Sequence, residues 1–341
     1  MKVLAAMSGG VDSSVAAALL RDAGHEVTGV TLRLWGGESD SGCCSVADVE
    51  DARRVAAQLD LDHYVFDLSE RFDAAVVGPY VEDHAAGRTP NPCVECNRSI
   101  KFGVLLDRAD ALGFDALATG HHARVLRDDQ GVARLARGVD GAKDQSYVLY
   151  MLGQRELART LLPIGELTKA EVRAEAARLG LRTATKPESM DVCFITRGSR
   201  RDFLAARIPA RAGDVVDRDG QVLGHHDGIE RFTLGQRRGL GLAFGERRYV
   251  VDVDPAAATV TLGTPADLLC DEIRLEATTW VDQPPGPQAV LDAQTRAHGT
   301  PMPARFAGDR VRLLAPGPRV APGQVVALYD GDALVGGGVA A

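Results

Sequence analysis

Apolar and polar positions in the first half of the chain alternate between a short-run pattern and a helical one. Lys2–Met7 is a short apolar run, Ser8-Gly9-Gly10 breaks it, and Asp12–Ala23 is an alanine-rich stretch of helical character that Gly24 ends. Val27–Leu34 predicts a second strand. A helix then starts at Ser45, where Asp48 three positions on completes a capping-box pairing. A strand at Tyr64–Leu68, helices at Ser69–Ala86 and Arg98–Leu112, and a strand at Phe114–Thr119 continue the alternation. Thr168 with Glu171 opens a further helix, which Gly180 ends. Strands alternating with helices predict an α/β fold: a doubly wound parallel sheet with helices on both faces.

After Arg197 the helical period fades into short alternating runs. Asp219-Gly220, Asp254-Pro255 and Asp330-Gly331 are hairpin signals, Gln283–Gln288 is a proline-rich loop, and Arg310–Leu314, Val325–Tyr329 and Ala333–Val335 predict strands. No internal repeat is visible. The expected layout is an α/β domain over 1–198, a small domain over 199–267, and a β-barrel over 268–341.

The composition is that of a globular protein: 341 residues, 45% hydrophobic and 25% charged. Val15–Leu20 is the longest apolar run, far below the roughly 20 residues of a membrane span. The N-terminus offers no secretory pattern, and six cysteines in such a chain suggest chemistry or burial rather than a disulfide framework. These features lead us to expect a cytoplasmic protein with no membrane association. The net charge of -8 argues against a general nucleic-acid binder, but its distribution changes that picture. Residues 193–248 carry 11 Lys+Arg against 7 Asp+Glu, while the flanking segments are net -7 and -5. Arg237 and Arg238, with Arg197, Arg200, Arg201, Arg207, Arg211, Arg247 and Arg248, are candidates for a phosphate backbone, against the plainer reading of a solvated basic surface.

Ser8-Gly9-Gly10-Val11-Asp12-Ser13-Ser14 stands between the first strand and the first helix, where a helix N-terminus offers N–H groups and partial positive charge to an anion. The glycines permit close backbone approach, and Ser8, Ser13 and Ser14 add hydroxyls. No Gly-Lys-Ser/Thr is present, so this is not a Walker A loop. It resembles instead the S-G-G-x-D-S loop of the ATP pyrophosphatase (PP-loop) superfamily, which implies cleavage of ATP to AMP and pyrophosphate. Asp12 is placed to act through Mg²⁺, although an aspartate in a first helical turn is also favourable for dipole reasons alone.

Cys93 and Cys96 lie at C-x-x-C spacing in the proline-containing loop Arg88–Asn97, and Cys193 follows about a hundred residues later. No second C-x-x-C completes a four-cysteine zinc site. Three readings stay open. The cysteines pass sulfur or electrons by thiol exchange, with Cys96 near a helix start at Asn97-Arg98; Cys93, Cys96 and Cys193 ligate an iron-sulfur cluster; or they are simply buried, which suits Cys270, Cys43 and Cys44 better.

Loop and cysteines together, with Lys101-Phe102-Gly103, Ala118–His122, Lys143–Tyr147, Glu188–Ile195, Phe232–Leu240 and Tyr249-Val250-Val251, make the chain resemble the bacterial tRNA-specific 2-thiouridylases nearly end to end. The resemblance implies ATP- and Mg²⁺-dependent adenylation of O2 of the wobble uridine (U34) in tRNA and replacement of that oxygen by sulfur. It implies a persulfide on Cys193, received from a sulfur-carrier protein or cysteine desulfurase, and Cys96 as the second catalytic thiol, with a transient disulfide between them. Nucleotide contacts carry over to Ala6, Met7, Ser8, Gly9, Gly10, Val11, Asp12, Ser13, Leu32 and Gly120. Contacts to tRNA carry over to Asn91, Pro92, Cys93, His121, Lys143, Asp144, Gln145, Arg296 and Gln324. Asn91 is the candidate reader of an extruded uridine, although asparagine before proline is also a common turn former.

Many members carry aspartate where this chain has Cys93. A thiol is the weaker aqueous acid, pKa near about 8.5 against about 3.9, so the substitution lends weight to a [4Fe-4S] alternative. Met190 and His122 stand where glutamine and tyrosine are usual. Two other classes compete: a PP-loop ligase acting on a small molecule, which would need the loop but not the cysteines, and a non-catalytic iron-sulfur or RNA-binding module, which would not need Asp12.

Overall fold

The computed structural model describes residues 1–34, 45–187, 192–195, 199–241 and 245–341. Cys43, Cys44, Arg197 and the Glu188–Asp191 part of the motif before Cys193 lie outside the described residues.

The first sheet is wholly parallel and runs β3 (His63–Asp67), β2 (Glu26–Arg33), β1 (Lys2–Ala6), β4 (Ala116–Ala118), β7 (Thr160–Leu161). The period of two in β1 sorts its side chains between two cores. Leu4 joins Val30 and Leu32 on one face, while Val3 and Ala5 join Val27 on the other. Helix α1 (Val11–Asp22) packs its alanines on the second face beside α2 (Val46–Gln58) and the helix Lys169–Arg178. On the first face lie the helical run from Ser69 to Ala85 and a long helix from Pro92 to Ala111, each containing a π-helical stretch. The expected doubly wound α/β architecture is present, and both capping boxes, Ser45 with Asp48 and Thr168 with Glu171, form as read.

One boundary differs. The helix carrying the cysteine pair starts at Pro92, not near Asn97, because proline at the first helical position gives up no hydrogen bond and Asn91 caps the turn by accepting from the Cys93 N–H at 3.1 Å. Cys93 therefore occupies the first turn and Cys96 sits one turn further in.

All three hairpin signals are realised. Asp219-Gly220 joins β8 (Gly213–Val216) to β9 (Val222–His226), and Asp254-Pro255 joins β10 (Tyr249–Asp254) to β11 (Thr259–Gly263), in a sheet of order β10-β11-β8-β9. Asp330-Gly331 joins β16 (Val325–Asp330) to β17 (Ala333–Ala340). With β12 (Leu269–Trp280), β13 (Leu291–Gln294), β14 (Met302–Ala307) and β15 (Arg310–Pro318), these form a six-stranded barrel that β12–β17 pairing closes. Closure leaves no free edge in the barrel cycle. The sequence did not reveal that β5 (Ala123–Arg127) and β6 (Ala133–Arg137), which belong to the α/β part by position, extend the barrel sheet through Ala136 beside Ala333. No described helix is long and apolar enough to cross a membrane.

Candidate active site

The loop after β1 is shaped as a cradle. Gly9 has φ +73°, and a Cβ there would collide with the Asp48 carbonyl, so glycine is required both for conformation and for space. Helix α1 begins with Gly10 as its cap and without any side-chain cap, which leaves first-turn N–H groups for an anion. The Ser8 and Ser13 hydroxyls lie 3.2 Å apart, and Ser13 Oγ accepts from the Ser8 N–H. Ser14 departs from the expectation. It is fully buried and its hydroxyl donates to the Gly10 carbonyl at 2.8 Å, so it braces the helix rather than facing a ligand. Gly120 brings the end of β4 against this same turn: a Cβ would lie 2.6 Å from the Ser13 nitrogen. Ala6 and Met7 lead into the loop, with the Met7 carbonyl accepting from Thr31 Oγ1 at 2.7 Å, and Leu32 is buried in the core of the opposite face.

Two lysines that sequence reading missed organise the cradle. Lys169 Nζ donates to both carboxylate oxygens of Asp12, 2.7 Å each, and His122 Nε2 lies 3.3 Å from Oδ1. Burial opposes the Asp12 charge, but the hydrogen bonds from His122 and Lys169 and their charges outweigh it and hold the carboxyl below its ordinary range. Lys186 Nζ donates to the Gly9 carbonyl at 3.0 Å and to Asp48 and Asp51 at 2.7 Å each, binding the loop to α2. Lys169 opens the helix whose capping box was legible, yet its partner lies 157 positions earlier, beyond any local pattern.

Cys96 is buried, and Cys193 packs against the same apolar cluster, which includes Val94, Phe72, Tyr80 and Phe194. Cys93 is exposed. Among the described residues no three His, Cys, Asp or Glu side chains are grouped so as to hold a metal ion, which does not favour the [4Fe-4S] alternative.

The loop before the cysteines is where three parts of the chain meet. A Cβ on Gly87 would touch Val253 and Pro255 of the middle part. The Thr89 N–H donates to the Pro322 carbonyl at 2.7 Å, the Thr89 carbonyl accepts from Gln324 Nε2, and Arg88 pairs with Asp83 and with Glu276 of the barrel. Asn91 Oδ1 accepts from the Cys93 N–H and caps the helix, as the turn-former reading expects.

Residues expected to face RNA divide into two groups. Arg237, Arg238, Arg296 and Gln145 are exposed. His121 is buried, with Nδ1 2.7 Å from Thr119 Oγ1 and Nε2 3.5 Å from Lys101 Nζ; burial and Lys101 push its pKa well down, which keeps it neutral. Asp144 is buried too. Its carboxylate accepts from the Gly138 and Ser146 N–H groups, Ser146 Oγ and Arg137, so it fixes the loop that presents Lys143 and Gln145.

An uncapped helix N-terminus behind a glycine loop in a parallel sheet, with two cysteines on one apolar cluster of the same α/β unit, defines a PP-loop-type α/β enzyme extended by two β modules. Residues 1–197 match the family model described as tRNA methyl transferase HUP domain, 201–264 the tRNA methyl transferase PRC-barrel domain, and 270–340 the Aminomethyltransferase beta-barrel domain. The tRNA-specific 2-thiouridylase MnmA of Mycobacteroides abscessus is 50% identical over 357 residues, covering 99% of each chain. That of Chloroflexus aggregans is 48% identical over 348 residues, covering 98% of this chain and 97% of its own. A solved 4-thiouridine synthetase–RNA complex with bound ATP aligns with 61% of this chain and 46% of its own at 20% identity and TM-score 0.39. The chain belongs to the tRNA-specific 2-thiouridylases, a family of tRNA sulfurtransferases.

Proposed function

We propose that this enzyme uses ATP to activate O2 of the wobble uridine of tRNA and replaces that oxygen with sulfur carried by Cys193, with Cys96 as the second thiol. The observation that carries the reading is the pairing, in one α/β unit, of an uncapped phosphate cradle with two cysteines that share an apolar cluster.

In this account the first-turn N–H groups of α1 and the Ser8 and Ser13 hydroxyls hold the ATP phosphates, and Lys169 supplies the cation that steadies Asp12 beside them. Mg²⁺ suits Asp12 as a single carboxylate ligand, the usual arrangement when phosphates and water complete the shell, and it would neutralise phosphate charge. O2 of the uridine attacks the α-phosphorus and pyrophosphate leaves, which turns a poor leaving oxygen into AMP. The terminal sulfur of a Cys193 persulfide then attacks C2, and the C2–O bond breaks with release of AMP. Cys96 attacks Cys193 Sγ, the S–S bond breaks, 2-thiouridine is freed, and a Cys96–Cys193 disulfide forms. A thiol reductant returns two electrons, and an external persulfide donor reloads Cys193. The RNA is held by exposed Arg237, Arg238, Gln145 and Arg296, with Lys143, and with Gln324 beside the Thr89 carbonyl of the cysteine loop.

The test is pyrophosphate release with and without bulk tRNA. Release that depends on tRNA carrying an unmodified wobble uridine supports the proposal; release that ignores tRNA but rises with an amine or amino acid favours a small-molecule ligase.

A further inference from the structure

Cys193 is followed by Phe194, only 3% exposed, whose ring is gripped from three directions. Phe72 meets it edge-on at 5.8 Å and Tyr80 at 5.4 Å, both from the helical run that covers the parallel sheet. The third ring is Phe203 at 5.4 Å, from the short helix Arg200–Ala205 that opens the middle, arginine-rich part of the chain. Phe203 also reaches Tyr80 at 6.5 Å and lies under the Arg207 guanidinium at 3.8 Å. His84 stacks edge-on to Tyr80 at 4.6 Å, and burial with the nearby Arg200 pushes its pKa down to about 4, so the group carries no charge at neutral pH. Edge-to-face aromatic pairs are directional as well as apolar. Two such pairs, with the Phe203 ring tilted at 56° as the third contact, fix the ring in orientation as well as in place, and through one peptide unit they fix the residue before it.

We propose that Phe194 and Phe203 are positioning residues, forming an aromatic clamp through which docking of the middle domain sets the placement of the Cys193 sulfur. The proposal rests on Cys193 carrying the transferred sulfur. The clamp ties sulfur delivery to the part of the chain that carries the basic surface, so that a middle domain displaced from its seat lets Cys193 drift from its line of attack. Misplacement of a reacting atom by about 1 Å can cost about a hundredfold in rate.

The experiment compares wild type with Phe203→Ala, Phe203→Tyr, Phe194→Leu and Cys193→Ser in the full chain. It measures tRNA-dependent pyrophosphate release, KM for ATP and tRNA, and single-turnover 2-thiouridine formation from persulfide-loaded enzyme. Phe203→Ala and Phe194→Leu are expected to slow sulfur transfer about tenfold or more, with pyrophosphate release and both KM values within about threefold of wild type, and Phe203→Tyr is expected to restore transfer. Sulfur transfer at the wild-type rate in Phe203→Ala, or an equal loss in pyrophosphate release, overturns the clamp. Thiolation that survives in Cys193→Ser overturns instead the reading on which the clamp rests.

Discussion

Lys169 grips both carboxylate oxygens of Asp12 at 2.7 Å, across 157 residues of chain, and so places a cation at the mouth of the phosphate loop. The pair is partly exposed, 13% and 30% at the side chains, and it lies where phosphate would enter. Lys169→Ala removes the cation while burial continues to oppose the Asp12 charge. We expect KM for ATP to rise at least tenfold and pyrophosphate release to fall about a hundredfold, with Lys169→Arg recovering part of both. Steady-state kinetics at saturating tRNA check this, and an unchanged KM for ATP would contradict it.

The same pair fixes a pH dependence. Because the Asp12 carboxyl is depressed in the folded enzyme, its contribution to stability is present above the unfolded-state range and is lost as pH falls through the folded value. Thermal unfolding of wild type and Asp12→Asn should therefore converge in strong acid and separate toward neutral pH, with wild type the more stable. Curves that stay parallel down to strong acid would mean that Asp12 adds no linked stability.

Gly120→Ala places a Cβ 2.6 Å from the Ser13 nitrogen and 2.8 Å from the Asp12 carbonyl carbon, both backbone atoms with little room to yield. Overpacking of this kind costs about 1–3 kcal/mol, and here the displaced atoms are the first turn of α1. The expected outcome is a lower Tm together with weakened ATP binding by calorimetry. Gly113→Ala, where the added carbon meets nothing within 4 Å but φ is +78°, should lower Tm through backbone strain and leave ATP affinity intact.

Arg237→Ala with Arg238→Ala removes two exposed cations for which no ion pair is formed among the described residues. If both meet phosphates, the slope of log affinity for tRNA against log salt should flatten by about 1.4–1.8, from about 0.7–0.9 per phosphate contact. Filter binding over a salt series measures it, and an unaltered slope would place this surface away from the RNA.

Local chemistry was legible and distant pairing was not. Ser8–Ser14 announced itself because strand, glycine turn and helix are consecutive, and the capping boxes at Ser45 and Thr168 are contained within one turn each. The helix at Pro92 was read too late because its two neighbouring prolines suggested a loop, whereas proline at the first helical position is compatible with the helix it opens. Lys169 on Asp12, Lys186 on the Gly9 carbonyl, and β6 beside β17 are contacts between segments with no shared periodicity, so nothing in the hydrophobic pattern foretells them. Of the residues expected to touch RNA, Asp144 and His121 are buried, which the sequence pattern around them does not foretell.

The most direct test of the central claim is 2-thiouridine formation measured by mass spectrometry on tRNA treated with iron-free, persulfide-loaded enzyme, in wild type and in Cys93→Ser, Cys96→Ser and Cys193→Ser. The account predicts that wild type and Cys93→Ser thiolate tRNA without iron, and that Cys96→Ser and Cys193→Ser lose thiolation by about a thousandfold while still releasing pyrophosphate in response to tRNA. Thiolation that requires iron and vanishes in Cys93→Ser would contradict it and return the three cysteines to the role of cluster ligands.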